Sequence, residues 1–229
     1  MEQIHRKNED MQYIFIHGLG QNPSSWDKTS DCLHHEIQIR FPNLVSFLAD
    51  QEMTYHNLYQ AFQDDCKMVE HPFHLCGLSL GAILALNYAI DYPEKVKSLI
   101  LIAPQYKMPR FVLNVQSVMF RLMPDKFFEM MGWSKKNIIH LTRSMLHLDF
   151  SKMIDRILCP TLVICGKRDY VNKKAAKWLA NKLSSAAYCE IETVGHEVNR
   201  EAPELLAQVM MDFYNSNMFT YVKHKWQSK

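Results

Sequence analysis

Short apolar runs recur along the chain, separated by polar, turn-rich stretches. Gln12-Ile16, Leu44-Ala49, Phe73-Cys76, Val96-Ile102, Thr161-Cys165 and Tyr188-Thr193 are each rich in Ile, Val, Leu or Phe, the pattern of strands buried on both faces. Helical stretches lie between them. Ser24-Ser25-Trp26-Asp27 offers an N-cap for a helix running toward Glu36, Ala82 to Ile90 is apolar enough to lie against a sheet, and Tyr92-Pro93 stops it. Pro203 to Met211 reads as a closing helix. This alternation predicts an α/β fold with a mostly parallel central sheet and helices on both faces.

From Tyr106 to Lys152 the pattern changes. No alternation of period two remains, and Phe111-Val112, Val115, Val118-Met119 and Leu122-Met123 fall at helical spacing. Residues 106–152 are therefore expected to form an inserted helical cap on a single domain spanning 1–229. The polar, basic stretch Thr220 to Lys229 is expected to fray.

Composition narrows the function classes. The chain has 229 residues, 48% of them hydrophobic and 22% charged, ordinary values for one globular domain. No apolar run approaches the ~20 residues needed to cross a bilayer, and the polar opening Met1 to Asp10 lacks the form of a secretory signal. A soluble, cytoplasmic protein is expected. Of six cysteines, Cys76, Cys165 and Cys189 fall in strand-like runs and none forms a C-x-x-C pair, which suits small buried hydrophobes. A formal charge of +2 without a Lys/Arg run gives no reason to expect nucleic acid. The histidines of His34-His35 and of His71 and His74 lack a Cys or carboxylate cluster that would complete a metal site, and no cofactor is expected.

The seven glycines point to chemistry. Six of them, Gly18, Gly20, Gly77, Gly81, Gly166 and Gly195, fall where a strand is expected to end, and tight turns there need backbone freedom. Gly77-Leu78-Ser79-Leu80-Gly81 stands between a strand and a helix, the setting of a nucleophile elbow, in which a strained serine exposes its Oγ. A serine hydroxyl needs an imidazole to accept its proton and a carboxylate to fix the imidazole tautomer. Asp169, after the strand Thr161-Cys165, and His196, after Tyr188-Thr193, supply that set in the order Ser, Asp, His. Asp149 is the substitute acid. The turn His17-Gly18-Leu19-Gly20 can offer the Leu19 amide as an oxyanion donor, with the Leu80 amide as the second. His17 is read as a backbone-bonding residue that shapes this turn.

These segments, with Tyr92-Pro93-Glu94-Lys95-Val96, Cys159-Pro160-Thr161-Leu162-Val163-Ile164 and Glu201-Ala202-Pro203-Glu204, resemble the α/β-hydrolase superfamily over nearly the whole chain. The resemblance implies an eight-stranded, mostly parallel sheet, of which about six strands are legible. It implies a cofactor-independent serine esterase acting on a small molecule with an apolar acyl or alkyl part. Two other readings stay open: non-hydrolytic, lyase-type chemistry on the same triad, and a ligand-binding module with a vestigial triad. Many relatives carry a Pro-Gly-His-Gly turn where this chain has Gln51-Glu52-Met53. The methionines of the 106–152 segment suit an adaptable apolar pocket or simple packing, and its excess of Lys and Arg suits acidic substrates or a solvated face.

Overall fold

A computed structural model describes residues 12–33, 38–48 and 51–215. Among them six strands form one parallel sheet: β1 (Gln12–Ile16), β2 (Gln38–Arg40), β3 (Phe73–Leu78), β4 (Val96–Ile102), β5 (Thr161–Gly166) and β6 (Ala186–Ile191), in the order β2-β1-β3-β4-β5-β6. The chain winds outward from β1 in one direction to β2 and in the other to β3. Loops leaving β1 and β3 thus part at a topological switch point, the place where open α/β sheets hold ligands.

Strand alternation sorts side chains into two apolar layers. Ile14, Ile16, Leu75, Leu99, Leu101 and Val163 pack on one face, beneath helices α2 (Tyr55–Lys67), α3 (Leu80–Asp91) and α7 (Lys173–Lys182). Tyr13, Phe15, Cys76, Leu78, Ile100 and Ile102 pack on the other, beneath α1 (Asp27–Asp31), α8 (Val198–Glu201) and α9 (Pro203–Asn215). Cys76, Cys165 and Cys189 are buried in these layers, and burial raises the pKa of each thiol, so they pack as apolar groups.

The 106–152 segment carries three helices, α4 (Arg110–Leu122), α5 (Asp125–Glu129) and α6 (Lys135–Ser144). Its ends are pinned to each other. Phe150 N–H donates to Tyr106 O at 2.8 Å, Met108 N–H donates to Leu148 O at 3.0 Å, and Lys107 Nζ pairs with Asp149 at 2.8 Å. Phe128, Trp133, Ile138 and Leu141 anchor the segment onto the α2/α3 side of the sheet.

Several local expectations are corrected. Leu44–Ala49 is not a strand: Ser46–Leu48 makes a 3-10 turn, Leu44 and Leu48 are buried, and Ala49 lies outside the described residues. This apolar run fills the core beside α2 without pairing. The strand is instead Gln38-Ile39-Arg40, which pairs with β1 alone and, as a short edge strand, carries little apolar signal. The first helical stretch is capped by Asn22, whose Oδ1 accepts from Ser24 N at 3.1 Å. It ends at Asp31, and residues 34–37 lie outside the described residues. The last strand runs from Ala186 to Ile191, two residues earlier than expected at both ends, and Thr193 beyond it already turns with φ 65°. The tail Thr220 to Lys229 and the opening Met1 to Asp10 lie outside the described residues.

Candidate active site

The glycines flanking Ser79 are imposed by backbone contact. A Cβ on Gly77 would meet the carbonyl of Gly81, and one on Gly81 would meet the carbonyl of Ile16 on β1. The elbow is therefore wedged between its own helix and the neighbouring strand, and Ser79 is held at φ 54°, ψ −110°. Such a conformation costs a non-glycine residue roughly 1–3 kcal/mol. It lifts Oγ out of the sheet at the N-terminus of α3.

His196 receives that hydroxyl. Its Nε2 lies 2.9 Å from Ser79 Oγ, and its Nδ1 lies 2.7 Å from Asp169 Oδ2. The carboxylate fixes the proton on Nδ1, which leaves Nε2 as the acceptor facing Ser79. Asp169 is buried. Burial works to raise its pKa, but bonds from His196 and Asn172 outweigh it and hold the carboxyl below the usual carboxylate range. Asp149, the alternative acid, stands apart in its pair with Lys107. Glu201 fixes the histidine turn from below, its carboxylate accepting from Gly195 N at 2.7 Å and from Glu197 N at 3.2 Å.

Asn172 escapes a reading of the sequence. Its Nδ2 donates to Asp169 Oδ1 at 2.9 Å and Oδ2 at 2.8 Å, and its backbone N–H donates to Oδ1 at 3.2 Å. Asn172 Oδ1 in turn accepts from Gln105 Nε2 at 2.7 Å. A detectable signal exists in the three-residue spacing from Asp169, the reach of a carboxylate closing a turn over the next helix start.

The turn after β1 borders the same cavity through Leu19. His17 is fully buried; Leu44 N–H donates to its Nε2 at 3.2 Å, and its Nδ1 donates to Gly18 O at 2.9 Å. Burial lowers its pKa to about 4, so it sits neutral as a brace between β1 and the Leu44 turn. Gly18 N–H is taken up by Gln21 Oε1 at 3.3 Å. The Leu80 amide begins α3, where first-turn amides have no intrahelical acceptor and the helix dipole favours negative charge. Leu19, Ser79, Leu80, Asp169 and His196 all border one cavity of about 610 Å³.

Gln21 is a second residue that sequence reading missed. It is buried and ties three regions together. Its Oε1 accepts from Gly18 N and from Asn199 Nδ2, its Nε2 donates to Glu197 Oε1 at 3.0 Å and Asn199 Oδ1 at 3.2 Å, and its carbonyl accepts from Trp133 Nε1 at 3.1 Å. The turn after β1, the loop after His196 and the inserted segment thus meet at one residue, the first two through its side-chain amide and the third through its main-chain carbonyl.

The remaining walls of the cavity are mainly apolar, with Gln105, Gln116, Thr142 and Asn172 among them. Met108, Met119, Met131 and Met145 join Phe120 and Phe128 in the cavity that holds Ser79, Asp169 and His196, whereas Met130 points outward and is 80% exposed. The size lies within the usual range of small-molecule sites. Among the described residues, no group of His, Cys, Asp or Glu is arranged to hold a metal, and no helix is long and apolar enough to cross a membrane.

Known proteins place this arrangement in context. Residues 13–209 match the sequence model of the "Alpha/beta hydrolase family". The monoacylglycerol lipase ABHD6 of Rattus norvegicus is 26% identical over 196 residues, covering 68% of this chain and 58% of the lipase. The chain thus spans less than two thirds of that relative's length. A hydrolase from Pseudomonas aeruginosa superposes with a TM-score of 0.75 at 17% identity, over 90% of both chains. A thermophilic esterase from Thermogutta terrifontis gives 0.73 at 18% identity, over 92% of this chain and 91% of the esterase. Likeness at these identities speaks to the fold.

Proposed function

The chain belongs to the alpha/beta hydrolase family, and on that premise we propose that it is a serine hydrolase cleaving an ester or related acyl bond of a small molecule. The relay Ser79 Oγ, His196 Nε2, His196 Nδ1 and Asp169 Oδ2, with links of 2.9 and 2.7 Å, carries this reading. An apolar cavity opening on Ser79 favours a substrate with an apolar acyl or alkyl part, and the lipase relative is consistent with that chemistry.

In the proposed reaction His196 Nε2 removes the Ser79 proton as Oγ attacks the substrate carbonyl. The Leu19 and Leu80 amides meet the charge that develops on the carbonyl oxygen, each worth about 3 kcal/mol of barrier. Asp169 holds the imidazolium formed in this step, and His196 then passes the proton to the leaving alcohol. Water attacks the acyl-enzyme with His196 again as base, releasing the acid and restoring Ser79.

Covalent labelling tests the assignment. A fluorophosphonate probe is expected to modify the wild type and to leave Ser79→Ala unmodified at unchanged thermal stability. Equal labelling of the folded variant would remove Ser79 as nucleophile.

A further inference from the structure

The helix α4 is built the wrong way round for a helix facing water. Its inward side, with Leu113, Ser117 and Phe120 partly or fully buried, is ordinary. Its outward side is not polar: Phe111, Val115, Val118 and Leu122, at i, i+4, i+7 and i+11, form a stripe exposed to solvent at 80, 53, 55 and 82%. Phe127 and Met130, from the next turn of chain, extend the patch. A surface helix normally places charged and polar side chains there, and contiguous exposed apolar patches mark interaction sites.

Two further features say what the patch meets. The stripe is edged by Arg110, Asn114 and Arg121, again at i, i+4 and i+11, with Lys126 beyond it. Among the described residues neither Arg121 nor Lys126 forms an ion pair, while Asp125 is engaged by Lys135 at 3.4 Å. From Arg110 to Arg143 six basic residues face two acidic ones. The other side of the stripe, Val112 and Met119, lines the cavity above Ser79, as do Phe111, Val115 and Phe127. Apolar side chains of α4 therefore lead from its exterior into the cavity over Ser79, whose wall also carries Gln105, Gln116 and Thr142.

We propose that this face of α4 and α5 docks on the surface of an anionic phospholipid bilayer, with the apolar stripe in the headgroup–acyl boundary and Arg110, Arg121 and Lys126 on the phosphates. A helix with an apolar face and cationic edges lies in that interface by burying the one and neutralising the other. Docking in this pose turns the cavity mouth toward the lipid, so an acyl chain leaves the bilayer along Phe111 and Val115 without crossing water. A second copy of the chain would also cover apolar area, but it would set like charges of the two basic edges against each other. The direction of lipid traffic rests on the hydrolase reading; docking itself does not.

Vesicle co-sedimentation of Ser79→Ala, which separates binding from chemistry, tests the proposal. Partition is expected to be stronger on phosphatidylcholine vesicles containing phosphatidylserine than on phosphatidylcholine alone, and to weaken with added salt. Val118→Ser with Leu122→Ser, both outside the cavity wall, is expected to cut partition at least about tenfold. Arg121→Gln and Lys126→Gln are each expected to cost about fivefold on anionic vesicles only. Turnover of a water-soluble short-chain ester by the otherwise wild-type Val118→Ser/Leu122→Ser protein is expected to be unchanged. Absence of partition on both vesicle types overturns the proposal. So does a concentration-dependent dimer, seen by light scattering, that the double variant abolishes. Vesicle binding with no ester turnover would instead uphold docking and reject the hydrolase reading.

Discussion

Asn172 Nδ2 lies within 2.9 Å of both carboxylate oxygens of Asp169 and 3.0 Å from His196 Nδ1. The carboxylate that steadies His196 is thus itself oriented by a neutral amide, and that amide is held by Gln105. A hydrogen bond to a charged group contributes about 1.5–3 kcal/mol. If the orientation of Asp169 sets the His196 tautomer, Asn172→Ala should lower kcat by about ten- to a hundredfold with KM little changed. Asn172→Asp should lose more, because a second carboxylate beside Asp169 opposes its ionisation. Steady-state kinetics on a p-nitrophenyl ester, read with melting curves, check both. Undiminished kcat in folded Asn172→Ala would exclude the role.

Gln21 gives a different expectation, because it joins elements and touches none of the reacting groups. Gln21→Ala leaves the Gly18 amide and Asn199 Oδ1 without their partner in a buried site, at a cost of about 2–3 kcal/mol. For a chain of this size the melting temperature should fall by roughly 4–12 °C. The turn that carries Leu19 is released at the same time, so kcat should fall, and the rate of fluorophosphonate labelling, whose phosphoryl oxygen meets the same donors, should fall with it. Undiminished kcat and labelling in the folded variant would exclude any influence of Gln21 on the turn.

Acid should destabilise the fold through its buried imidazoles. Burial lowers the pKa of His17 and of His74 to about 4, whereas an unfolded histidine titrates near 6.5. Between these values the unfolded chain binds more protons than the native one. The stability contributed by the neutral rings is complete above about pH 6.5 and is lost as pH falls toward about 4, by up to roughly 3 kcal/mol for each ring. Asp169, with its lowered pKa, adds a loss in the same direction at still lower pH, below the unfolded carboxylate value. Urea unfolding at about pH 7 and about pH 5 measures the slope. His74→Phe, which keeps an aromatic ring beside Tyr13, should flatten it by about half, and an unchanged slope would exclude His74 as a source.

The legible part of this molecule is the part whose constraints are local. Ser79, Asp169 and His196 each follow a buried apolar strand and stand within three residues of a glycine, so turn chemistry announces them before any contact is known. Gln21 and Asn199 are 178 residues apart, and nothing near either one marks it; their pairing exists only once the sheet brings the ends of β1 and β6 to the same rim. The β2 strand was hidden for another reason. Gln38-Ile39-Arg40 needs apolar character on one side only, while the apolar run after it belongs to a turn that fills the core. Helices α2 and α7 carry long polar faces, which mask their buried stripes in a reading that looks first for apolar runs.

The joint between Tyr106 and Phe150 has a consequence for how such a molecule changes. Because the inserted segment leaves and re-enters the sheet through one pair of backbone bonds and the Lys107–Asp149 contact, β4 and β5 keep their register whatever the segment contains. Lengthening a closed loop costs little, about 0.6 kcal/mol for each doubling. The region over Ser79 can therefore be lengthened, shortened or replaced as one cassette, and the shape of the cavity can drift while Ser79, His196 and Asp169 beneath it stay where they are.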